Sequence, residues 1–190
     1  FLGGILAGAV MTFGTDLWAT KEASRSGLTS DVVGVVRRHL NVASGLSVAG
    51  FAAYAGVFLV LADRLPPAEA FAVYLLAVTS MWSVSLAGLL RGTRQMKALM
   101  RMQVASPVVF AAGVAVWAAV SDLTVAGALY LAVLGRVASI AIGPWRPILT
   151  SAPAGRSPWQ TVLRTHVSSS VGVLVEFASY RVDVLFIAVF

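Results

Sequence analysis

The chain has 190 residues, 58% of them hydrophobic and 12% charged, with a mean hydropathy of +0.86. Soluble domains carry about 25% charged residues, so a water-soluble globular protein is excluded and a polytopic membrane protein is expected. The net charge of +6 would point to nucleic acid in a soluble chain, but here the basic residues fall at membrane topology signals, and no nucleic-acid partner is expected.

The first apolar segment, 1–19, has no basic residues before it and its first positive charge after it, at Lys21. That pattern is not a signal peptide, and the chain reads as an internal stretch of a longer protein. Gly4 and Gly8 place small residues one turn apart, which allows close helix packing. Asp16, Lys21, Glu22 and Arg25 are expected to mark the exit into water, and Ser26-Gly27 the helix break. Thr29-Ser30-Asp31 offers N-cap oxygens. An interfacial turn over 32–39, with Arg37 and Arg38, is expected to lead into a crossing over 40–62.

Asp63 to Pro67 predicts a tight turn. A third helix is expected over 68–90, ended by Gly88 to Gly92, and followed by a short basic loop over 93–101. The fourth runs from about Met102 to Val120 and has Pro107 in its first two turns, which predicts a kink. Ser121 to Thr124 turns the chain, and the fifth helix runs from Val125 to about Gly143. The segment 144–164 holds Pro144, Pro147, Pro153 and Pro158 and reads as a linker between two lobes.

Of the Lys and Arg residues, eleven fall in segments 20–39, 91–101 and 144–164, against Arg64 alone in the two intervening loops. The positive-inside bias places the three basic segments in the cytoplasm. Trp18, Trp145 and Trp159 fit an interfacial belt on that side. The chain has no cysteine, and His39 and His166 share no ligand spacing, so no metal site is expected. No phosphate-binding loop, GxGxxG, HExxH or nucleophile–base arrangement is present. No enzymatic activity or cofactor is expected.

Three charged residues, Glu176, Arg181 and Asp183, lie inside the last helix and one, Arg136, midway along the fifth. Arg136 at bilayer depth costs about 2.5–3.5 kcal/mol on insertion scales. It has two compatible readings: an ion pair with Glu176 or Asp183 that locks helices together, or the cationic wall of a cavity for an anion. Residues 164–190, if helical, span about 40 Å. Glu176 and Asp183 then lie about 20° apart, in a strip with Thr165, Ser169, Gly172 and Tyr180, while Arg181 is some 140° round from Glu176. Such a strip must face protein or water.

Two stretches carry a family resemblance. Gly14 to Arg25 (GTDLWATKEASR) resembles the cytoplasmic end of the second helix of polysaccharide (Wzx-type) lipid flippases, in the multidrug/oligosaccharidyl-lipid/polysaccharide exporter superfamily. Tyr180-Arg181-Val182-Asp183 resembles the seventh, and the proline-rich segment resembles the junction between the two lobes. The resemblance covers the whole chain as helices two to seven of about twelve. It implies an all-α, polytopic transmembrane bundle of two six-helix lobes. Residues 1–143 would be five helices of the first lobe, 144–164 the cytoplasmic linker and 165–190 the opening helix of the second lobe.

The implied activity is flipping of a polyprenyl-pyrophosphate-linked oligosaccharide across the bacterial inner membrane by alternating access. Arg136 and Arg181 would bind the anionic head group, and Glu176 and Asp183 would balance charge or couple ions. Membrane lipids and other polysaccharide-assembly membrane proteins are the further partners implied. A cation-coupled multidrug exporter of the same superfamily is the alternative, disfavoured by two deep arginines. A membrane-embedded glycosyltransferase or polymerase is less well matched, because both outer loops are short.

Overall fold

The computed structural model describes residues 15–61 and 67–143, and every regular element there is an α-helix. In chain order these are α1 (Thr15–Ser26), α2 (Ser30–Leu61), α3 (Pro67–Gly92), α4 (Met96–Val120) and α5 (Val125–Ile142). Among the described residues, three helices are long and apolar enough to cross a membrane: Ala68–Gly92, Met96–Val120 and Val125–Ile142. The expectations for 1–14 and 144–190, including Gly4, Gly8 and the linker, lie outside the described residues.

Local chemistry explains most helix ends. Gly27 adopts φ 74° and its N–H bonds the Ala23 carbonyl at 3.0 Å, closing α1 in the left-handed cap that glycine tolerates best. Thr29 receives the Val32 N–H at 3.5 Å, a long cap contact, and Asp31 in the first turn of α2 suits the positive end of the helix dipole. Thr124 caps α5 through a 3.1 Å bond from the Gly127 N–H.

Several boundaries differ from those expected. α1 runs through Lys21, Glu22 and Arg25 to Ser26 before it breaks, so these charges ride on a helix. The 32–39 turn and the crossing after it form one continuous helix. α4 begins at Met96, which leaves a loop of only 93–95, carries Lys97 and Arg101 on the helix, and puts Pro107 in the fourth turn. Helix propensity in MKALMRM outweighs its charge, and charge density alone had marked it as loop.

α3 ends at Gly92, as expected, and Gly88 and Gly92 also let α1 approach it. A Cβ at Gly88 would fall 2.5 Å from the Asp16 carbonyl oxygen, and one at Gly92 would fall 2.5 Å from that of Thr20. Thr15, Ala19 and Ala23 are the buried small residues of α1 on this contact, and the Thr20 hydroxyl donates to the Gly88 carbonyl at 3.1 Å. Small residues four apart on both partners produce such close approaches in membranes.

α3 is the central element. It packs extensively on α1 near its C-terminus and on α5 along its length, while α4 rests mainly on α5. One core cluster joins Ala19, Ala23, Val36, Leu40, Met81, Leu90 and Met102. A second joins Ala72, Leu76, Leu129, Ala132 and Val133. On the α2 side the seam is polar: the Trp82 indole donates to Ser44 at 2.9 Å, and Phe51 stacks on Tyr74 at 4.5 Å.

This packing gathers the charges at one end. The C-termini of α1 and α3 lie together, and α2 and α4 start from short turns beside them. Lys21, Arg25, Arg37, Arg38, Arg91, Arg94, Lys97 and Arg101 therefore share one end of the bundle. The opposite end carries Glu69 and Asp122 and, among the described residues, no Lys or Arg.

Candidate functional site: a polar cleft beside Arg136

The cleft grows from one close helix contact. A Cβ at Gly135 would meet the Ser106 carbonyl oxygen at 2.6 Å, so only glycine admits this α4–α5 approach. Four residues apart along α5, Ala132 and Arg136 lie together on one side of that contact. Gln103, Ser106, Pro107 and Phe110 present the matching face of α4, and Leu76 of α3 closes the third side. The enclosed volume is about 280 Å³.

Its polar inventory is small and complementary. Arg136, half-buried, brings five N–H donors on a planar fork. Gln103 can donate and accept, and Ser106 adds a hydroxyl. Pro107 has no N–H to bond the carbonyl of Gln103 four residues earlier, which leaves that acceptor without its helical partner. Between Leu76, which lines the cleft, and Ser83, whose hydroxyl lies 3.3 Å from that of Ser139 on α5, sits Ser80. Ser80 is 4% exposed and its hydroxyl has no hydrogen-bond partner.

Arg136 has no ion pair with any described residue. Sequence explains this: from the start of α3 to the end of α5 there are only two carboxylates, Glu69 in the first turn of α3 and Asp122 in the turn before α5, both at the far end. The guanidinium thus lines an open cleft with neutral hydrogen-bonding groups and no counter-charge among its lining residues. An anion is the ligand chemistry such a cleft complements. Among the described residues no group of His, Asp or Glu could hold a metal ion.

Comparison with known protein families, with curated proteins and with solved structures finds no match.

Of the residues expected to form the site, Arg136 is placed in this cleft; Arg181, Glu176 and Asp183 lie outside the described residues, as does the proposed pairing of Arg136 with either carboxylate. Gln103, Ser106 and Ser80 were not anticipated. For the first two a signal existed: 103, 106, 107 and 110 fall on one helical face around a proline. Ser80 had none, because an isolated serine in a membrane helix usually bonds its own backbone.

Proposed function

We propose that this chain belongs to a two-lobe, alternating-access transporter of the bacterial cytoplasmic membrane that flips a polyprenyl-pyrophosphate-linked oligosaccharide for surface polysaccharide assembly. The observation that carries the reading is Arg136: a guanidinium at bilayer depth, in a cleft with no carboxylate among its lining residues. A pyrophosphate matches that site in charge and in bidentate geometry. Gln103 and Ser106 suit the neutral oxygens of an adjoining sugar.

In this reading Arg181 adds a second cation from the opening helix of the other lobe, and Glu176 and Asp183 hold the arginines between substrates or couple ions. The lobes are six helices each, joined by 144–164, and the polyprenyl tail stays in lipid while the head group passes. A lone deep arginine repels cationic drugs, which weighs against the multidrug exporter.

The test is substitution at Arg136 in the full-length protein. Arg136→Ala should leave membrane abundance near normal and abolish surface polysaccharide. Arg136→Lys should restore little of it, since an ammonium lacks the planar fork. Loss of folded protein in Arg136→Ala would instead assign the residue to the fold, and full transport in that variant would remove it from the mechanism.

A further inference from the structure

We infer that the turn between α3 and α4 is a binding site for an anionic glycerophospholipid, with the headgroup phosphate held by Lys97 and Arg101. The inference is independent of what the protein transports. Arg91, Arg94, Lys97 and Arg101 are all exposed, crowded into the last turn of α3, a three-residue connection and the first turns of α4. No Asp or Glu occurs between Glu69 and Asp122, and none of the four cations has an ion pair with a described residue. The turn is tight: the Gln95 N–H bonds the Leu90 carbonyl at 3.0 Å and the Arg94 N–H bonds Arg91 at 3.1 Å, so the four charges cannot spread along a long loop.

Charge alone would fit any polyanion. The surface below it narrows the choice. Positions 97, 101, 104 and 108 form one strip of α4, and this strip turns away from α5. Beneath the two cations it carries Val104 and Val108, flanked by Met100, which is 64% exposed. None of the apolar window of this helix is buried in the bundle. From Arg101 to Val120 the helix rises about 30 Å, the thickness of a bilayer's hydrocarbon core. Lys97 and Arg101 therefore stand at headgroup level, and the strip stands against acyl chains. A ligand with phosphate at one end and hydrocarbon below it satisfies both parts; a soluble acidic protein reaches only the first.

The corner between α1 and α2 provides the contrast. Lys21 and Arg25 share that corner with Glu22 and Asp31, so its net charge is lower.

The chain lacks cysteine, so Met100→Cys can carry a single bimane label beside Lys97 and Arg101. The full-length protein is reconstituted in vesicles of equal parts phosphatidylcholine and phosphatidylglycerol, and quenching is measured with one lipid or the other brominated on its acyl chains. Phosphatidylglycerol should quench preferentially, and Lys97→Gln/Arg101→Gln should remove the preference, by about five-fold for each cation lost. The pair Lys21→Gln/Arg25→Gln should keep it, and so should Arg101→Lys. Equal quenching by both lipids, a preference that survives the first pair, or an equal loss in the control pair would overturn the site. Inorganic phosphate that abolishes the preference at constant ionic strength would assign the cations to a soluble anion and overturn it as well.

Discussion

Gly88, Gly92 and Gly135 act through the absence of a side chain, and each faces a backbone carbonyl that cannot move aside easily. Gly88→Ala and Gly135→Ala should each destabilise the folded protein by about 1–3 kcal/mol, as overpacking does. Gly45 on α2 is the control. A Cβ there meets nothing within 4 Å, so Gly45→Ala should stabilise by about 0.5–1 kcal/mol through helix propensity alone. Thermal unfolding in detergent separates the two outcomes, and a loss at Gly45 equal to that at Gly88 would remove the packing explanation. Gly135→Ala has a second consequence. It pushes α5 off Ser106, and Arg136 with it, so anion transport should fall even in protein that still folds.

Helices in this bundle are joined by hydroxyls as much as by shape. Ser44 accepts from the Trp82 indole at 2.9 Å across α2 and α3, and Ser83 pairs with Ser139 at 3.3 Å across α3 and α5. Ser83→Ala and Ser139→Ala should each cost about 0.6 kcal/mol, and the double variant little more than either single, because only one bond is lost. A double-mutant cycle measured by unfolding decides this, and additive losses would mean that the hydroxyls do not act on each other. On α4 the relevant element is Pro107. Pro107→Ala supplies the N–H that the Gln103 carbonyl lacks, so amide exchange across the middle of α4 should slow, while the cleft loses an acceptor. Unchanged exchange would show that the carbonyl already has another partner.

At the scale of the whole molecule, eight described cations at one end and none at the other predict how the bundle sits in the membrane. With that end cytoplasmic, single cysteines at Thr29 and Gln95 should resist an impermeant thiol reagent in intact cells. One at Ser121, exposed at the opposite end, should react. Labelling at Gln95 with protection at Ser121 would invert the topology, and the lipid site would then face the outer leaflet. The same arrangement sets the depth of Arg136. It lies six residues before the end of α5 on the basic side, about 9 Å along the helix, somewhat to the cytoplasmic side of the helix midpoint. An anion would meet it early when entering from that side.

Composition and periodicity were enough for the class of the protein. An apolar excess that no aqueous core can bury, and Lys and Arg confined to alternate connections, require membrane helices and set their direction, since both follow from the cost of hydrating or burying a group whatever its neighbours are. α5 was legible to within a residue because Thr124 and Gly143 flank an uninterrupted apolar run. Boundaries failed where local signals had two meanings. The glycines at 88 and 92 marked a real helix end but gave no sign of being a contact surface as well, and the basic residues at 97 and 101 looked like a loop and proved to be helical. Arg136 was visible as a charge in an apolar helix, yet sequence could not say what surrounds it. Only tertiary packing brings Gln103, Ser106 and Leu76 beside it. That is decided by the register of α4 on α5 at Gly135, a contact of backbone with backbone that leaves no periodic trace in the chain.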